Sequence, residues 1–180
     1  MKFAFRSAAA LAALVALGGC SLFESKKELP PCPRVSVLSE ASKLTQFRTG
    51  QGRDITDVEL QAEFTGYHGS CKFDYEKQIM TVTMQVGIDA QRGPAAKGRK
   101  ADIAYFIAIP AFSSTPKGKA IMQVPLEFPE NTDRVRYIDS EVEATFKVPK
   151  LDDLAKYEVF LGLQLTPEQL EYNRTQKSPM

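Results

Sequence analysis

The sequence predicts an all-β protein: an antiparallel β-sandwich of seven or eight strands with a short C-terminal helix. Three observations predict it. Apolar and polar residues alternate with period two over most of the chain beyond residue 34, the mark of strands buried on one face. Turn-forming residues separate these runs at the spacing of short, sequentially connected strands. A Thr-Pro-Glu-Gln stretch near the end has the chemistry of a helix start. The chain has 180 residues, 43% hydrophobic and 25% charged, enough for one domain with a packed core.

The elements follow in order. Val35 to Leu38 and Leu44 to Phe47 are short strand candidates. The Phe47 to Asp57 stretch, with Gly50 and Gly52, reads as a flexible loop in which Asp54 and Asp57 shape the turn into the next strand. Val58, Leu60, Ala62 and Phe64 face one way, opposed by Glu59, Gln61, Glu63 and Thr65. Gly66-Tyr67-His68-Gly69 reads as a turn. Cys71, Phe73 and Tyr75 then alternate with Lys72 and Asp74, and Glu76 to Gln78 is a tight connection. Met80, Val82, Met84, Val86 and Ile88 form the next inward face. Ile103 to Phe112 is apolar on both faces, as expected of a central strand. Met122, Val124, Leu126 and Phe128 follow, with turns at 113–118 and 129–133. Ile138, Val142, Ala144, Phe146 and Val148 form another inward face. Asp139, Glu141 and Glu143 oppose them on a soluble one. Tyr157, Val159, Leu161, Leu163 and Leu165 close the series. Thr166 caps, Pro167 opens and Gln169 completes a capping box for a helix from Glu168 to about Thr175.

Composition excludes several functions. Lys and Arg number 23 and Asp and Glu 22, so a nucleic-acid binder driven by phosphate neutralisation is not expected. One His, no Trp and three Cys leave no His-rich metal site. His68 lies in the Gly-flanked turn, and no spacing of acids singles out a catalytic pair. Asp54-Ile-Thr-Asp57 and Asp152-Asp153 do not follow a calcium-loop spacing. No catalytic residue, metal ligand or cofactor site is assigned. The charge-dense stretch is 91–100, where Arg92, Lys97, Arg99 and Lys100 lie without an acid. It reads as an exposed hairpin tip, a candidate surface for an anionic partner, with Lys117 and Lys119 adding to it if the two turns share an end.

The first twenty residues are a separate unit. Lys2 and Arg6 precede an uncharged run from Ser7 to Gly19, too short to span a bilayer and apt for a secretory signal. The run ends in Leu17-Gly18-Gly19-Cys20, which resembles the lipobox of bacterial lipoproteins. The resemblance implies cleavage before Cys20, diacylglycerol on its thiol and acylation of its new amine. Ser21, where Asp would retain such a protein at the inner membrane, implies the outer membrane; the periplasmic face is the expected one and the external face the alternative. Anchoring by more than one acyl chain is stable. Residues 20–33, with Pro30, Pro31 and Pro33, read as the lipidated tether, 34–166 as the sandwich domain, and 167–180 as the helix and tail. Removing Lys2 and Arg6 from the 23 basic side chains leaves 21 against 22 acidic ones.

Cys32 and Cys71 remain. In an exported chain such a pair is most simply a disulfide, worth about 4 kcal/mol across its 39-residue loop in the chain-entropy model. Two free thiols or a redox pair are the alternatives, although redox pairs usually sit close in sequence.

Leu151 to Val159 resembles the tyrosine corner of immunoglobulin-like and fibronectin-type-III sandwiches. Tyr157 would be the residue whose hydroxyl bonds back to upstream backbone.

Together these readings imply a non-enzymatic, lipid-anchored envelope lipoprotein. It would be an accessory, scaffold or assembly factor with an envelope protein partner. The alternative is a tethered binding module for an envelope lipid, peptidoglycan or glycan.

Overall fold

A computed structural model describes residues 30–50 and 52–177. Eight strands form two four-stranded sheets packed face to face. They are β1 (Val35–Val37), β2 (Lys43–Phe47), β3 (Val58–Asp74), β4 (Ile79–Arg92), β5 (Lys100–Ala108), β6 (Lys119–Glu127), β7 (Arg134–Lys147) and β8 (Val159–Leu163). The first sheet has the order β1-β8-β5-β6 and the second β2-β3-β4-β7. Pairing is antiparallel except where β1 runs parallel to β8. A helix, α1 (Pro167–Lys177), follows. The sandwich is the one the alternation predicts, and the terminal helix the one the Thr166 to Gln169 capping chemistry predicts.

Every inner face contributes to one core. Met80, Val86 and Ile88 of the second sheet and Tyr105, Val124, Val159, Leu161 and Leu163 of the first are fully buried. Burying each such side chain contributes roughly 1.5–3 kcal/mol. β5 lies between β8 and β6, the central place expected of it, but it ends at Ala108, and Pro110–Phe112, read as part of the strand, forms a 3-10 turn. The helix starts as its sequence dictates: Thr166 and Gln169 bond reciprocally, side chain to backbone, at 2.9 and 3.2 Å. It covers β2, the edge of the second sheet. Asn173 donates to the Glu40 and Lys43 carbonyls at 2.8 Å each, and Tyr172 meets Phe47 edge-on.

Three ladder shifts interrupt the second sheet, and two of them, bulges in β3 and β7, break the reading of the sequence. Gly66 to Gly69 is not a turn: β3 runs unbroken for 17 residues, and its ladder to β4 shifts register between Phe64 and Gly66. Gly66 has φ 148°, a left-handed conformation that suits glycine. The extra residue reads as a turn signal in sequence, whereas in the fold it bends a continuous strand. His68 is accordingly an exposed strand residue. β7 has the second bulge, opposite Met84 and Val86. It inverts the phase of the first half of the strand. Ile138, expected in the core, is 55% exposed, while Tyr137 and Val135 pack against the core instead.

The chain passes twice between sheets at one end of the sandwich, at 93–99 from β4 to β5 and at 128–133 from β6 to β7. The 91–100 stretch is therefore a crossover rather than a hairpin tip, because β4 and β5 belong to different sheets. At the other end Phe112, Phe146 and Tyr157 form an aromatic cluster with centroids 5.6–6.0 Å apart. The Tyr157 ring is what the fold uses. No hydrogen bond joins its hydroxyl to upstream backbone among the described residues, so the tyrosine-corner bond is not made.

Candidate functional site

Cys32 and Cys71 form a disulfide with an S–S distance of 2.02 Å. Cys71 lies in the half of β3 beyond β2, where β3 is an edge strand. The neighbouring Tyr67 donates to the Val35 carbonyl at 2.6 Å. Residues 32–37 thus run from the edge of the second sheet to β1, at the edge of the first. Cys32, counted with the tether in sequence, is fastened to the domain. Cys20, the signal and most of the tether lie outside the described residues.

The four basic residues of the crossover take unlike roles. Arg99 donates to the carbonyls of Pro129, Glu130 and Thr132, so it stitches the two crossovers together. Arg92 pairs with Asp133 at 2.8 Å and is mostly buried. Its Nε is, among the described residues, the one buried side-chain nitrogen or oxygen without a hydrogen-bond partner. Lys100 only approaches Glu127, at 4.0 Å, and Lys97 is exposed. Lys119 lies opposite Ala108, at the far end of β5, about 26 Å from Lys100 at the rise of a strand. It bonds Gln164 and covers the Phe106 ring. Lys117 precedes it by two residues, so neither lysine joins the crossover cluster. The partners that divide these roles lie some thirty to forty residues away, beyond the reach of local sequence.

The outer face of the second sheet carries a surface that the sequence analysis did not assign. Lys43, Glu63, Asp89 and Arg136 stand opposite one another on four successive strands. Lys43 pairs with Glu63 at 3.1 Å, and Arg136 grips Asp89 with two bonds of 2.6 and 2.8 Å. That bidentate bond holds the Asp89 carboxyl below its ordinary range. In the next row stand Thr45, Gln61, Gln91 and Arg134. No side-chain hydrogen bond or ion pair occupies these four among the described residues. Both rows line a shallow cleft of about 570 Å³ across the sheet. Its only sequence signal is the polar half of the alternation, which looks like any solvated face.

Inside the sandwich, Tyr105 of β5 donates across the sheets to Asp139 of β7 at 2.6 Å. Tyr137 donates to the same carboxyl oxygen at 3.3 Å. Asp139 turns inward because of the β7 bulge, so it does not belong to the soluble stripe of Glu141 and Glu143. Burial, then the Asp139 bond, push the Tyr105 hydroxyl far above its ordinary value of 10.0. Tyr137 is raised by burial first and the Asp139 charge second. With Tyr105 fully buried, this trio ties the sheets together. Asp54 and Asp57 have the turn-shaping role expected of them, through a capping box and an ion pair from Arg48 to the buried Asp57. Among the described residues no three His, Cys, Asp or Glu side chains converge as metal ligands do.

Compared with protein-family models, curated proteins and solved structures, the chain matches none.

Proposed function

We propose that the chain is a lipid-anchored envelope lipoprotein that acts without catalysis, as an accessory, scaffold or assembly factor of an envelope complex. The observation that carries the reading is the Cys32–Cys71 disulfide. Structural disulfides persist in oxidising compartments, so the pair fits export. It also accounts for two of the three cysteines and leaves Cys20, at the end of the lipobox-like run, for acylation. The outer membrane follows from Ser21 by the lipoprotein resemblance. Metabolic labelling with an alkynyl fatty acid tests the anchor. Wild type should take up label, and Cys20→Ser should not. Cleavage without label would overturn the reading.

The alternative, a tethered binding module for an envelope lipid, peptidoglycan or glycan, draws support for the last two from the cleft across the second sheet. Thr45, Gln61, Gln91 and Arg134 there offer hydrogen-bonding groups that no other described residue uses. Crosslinking in intact envelopes separates the two. A stoichiometric protein partner favours the scaffold, and a glycan adduct mapped to these four residues favours the binding module.

A further inference from the structure

We propose that the pocket beneath the 93–99 crossover binds a phosphate ester whose other end carries an ammonium, the chemistry of a phosphoethanolamine group. The inference goes beyond the anchor and does not depend on acylation of Cys20.

The pocket has a volume of about 210 Å³ and lies between the start of β5 and the β2–β3 side of the second sheet. It exists because β8 pairs with β5 only from Tyr105 to Ala108. Beyond that, the Gln164 N–H reaches the Ala104 carbonyl. Backbone groups of alternate strand residues point to the same side, so the Asp102 N–H and carbonyl face that side too, with no strand opposite them.

Arg92, Lys97 and Lys100 supply the positive charge. Asp133 fixes the end of the Arg92 side chain, which leaves its Nε–H buried and unpaired. The Nε–H is itself closed to a ligand, but the Arg92 guanidinium adds its charge to those of Lys97 and Lys100 and reports on what binds beside it. A phosphate oxygen meeting either lysine would make a charge-assisted bond. Lys97 has no partner among the described residues and Lys100 is held only loosely, so both ammonium groups are free to close on the same phosphate. The negative side is uneven. Glu59 accepts from the Gln46 amide at 3.2 Å, whereas Asp102 makes no ion pair among the described residues. A purely anionic ligand would be repelled by Asp102. A ligand with phosphate at one end and ammonium at the other satisfies both.

The full-length chain in an uncharged, phosphate-free detergent provides the test. It is titrated with inorganic phosphate and with phosphoethanolamine while the Arg92 Nε–H resonance is followed. That resonance should move saturably with both, and phosphoethanolamine should bind about tenfold tighter, as one added charge-assisted contact warrants. Replacing Lys97 and Lys100, both exposed, by Ala should weaken both ligands about tenfold without disturbing the fold. Asp102→Asn should strengthen phosphate, weaken phosphoethanolamine and erase the preference. No saturable shift at Arg92, or affinities unchanged in the double lysine variant, would overturn the site. A preference that survives Asp102→Asn would overturn its zwitterionic character. Native mass spectrometry of the chain from solubilised cells then separates the sources. A retained phosphoethanolamine lipid identifies a headgroup, and a retained soluble ester identifies a free molecule.

Discussion

The two sheets meet in one core but face outward differently. On the first, Ala104, Phe106, Ala108, Ile121, Phe160 and Gly162 form an apolar centre to the outer face, with Lys100, Asp102, Lys119 and Glu127 at its ends. On the second, the centre holds Lys43, Glu63, Asp89 and Arg136, with Thr45, Gln61, Gln91 and Arg134 in the row beside them. The first face packs: a Cβ at Gly162 would come within 2.6 Å of the Phe106 ring and 2.9 Å of Ala41. The second is held by ion pairs that water screens. One sandwich therefore combines a tight outer layer with a loose polar one, and substitutions of equal size should register very differently on the two.

The largest lever is the staple that joins their edges. Replacing Cys32 and Cys71 by Ala should cost about 4 kcal/mol in urea unfolding. A loss under about 1 kcal/mol would mean that the 33–37 segment holds its place through packing alone. The next effect compares one glycine from each sheet. Gly162→Ala should destabilise by about 1–3 kcal/mol, because ring and backbone-borne atoms must move. Gly87→Ala meets chiefly the Thr65 hydroxyl, a group that can rotate away, and should cost less, under about 1 kcal/mol. Equal losses in thermal unfolding would erase the contrast.

Tyr105→Phe probes the bond between sheets and should cost about 1–2 kcal/mol near neutral pH. It carries a pH signature. The folded hydroxyl titrates above its unfolded value, so its contribution is complete below pH 10.0 and declines as pH rises past it. The alkaline fall in wild-type stability should be shallower in the variant. Arg136→Gln should give the smallest change, under about 1 kcal/mol, since both partners are substantially exposed. Asp89 titrates below its unfolded value when folded. The difference from wild type should therefore be present at neutral pH, disappear as acid protonates the folded carboxyl, and shrink with added salt. Denaturation curves across pH and ionic strength would check both signs.

Period-two alternation made most of the fold legible, because one buried face leaves that trace in every strand. It failed at the two bulges. One extra residue in β3 turned Gly66 to Gly69 into an apparent turn, and one in β7 put Ile138 in the core and Asp139 outside it. A pattern with period two has no memory of an inserted residue. The bond from Asp139 to Tyr105 crosses the sheets and was invisible for the same reason. Of the site, sequence carried the cysteine pair and the clustering of Arg92, Lys97, Arg99 and Lys100. It did not carry their division of labour. Arg99 spends its donors on carbonyls about 30 residues away, and Arg92 keeps one buried donor free because the crossover folds over it.

The disulfide also decides how the domain would bear a pull. Tension arriving along the chain from the N-terminal side of Cys32 has two routes into the fold. One runs through β1, a three-residue parallel pairing with β8. The other passes through covalent sulfur to Cys71, three residues before the end of the long ladder between β3 and β4 at Asp74. The second route enters a ladder far longer than that of β1, and β1 is shielded behind it. A leash at the N-terminal end of the chain would thus grip the protein by its longest seam, and breaking the staple would shift that grip to a three-residue one.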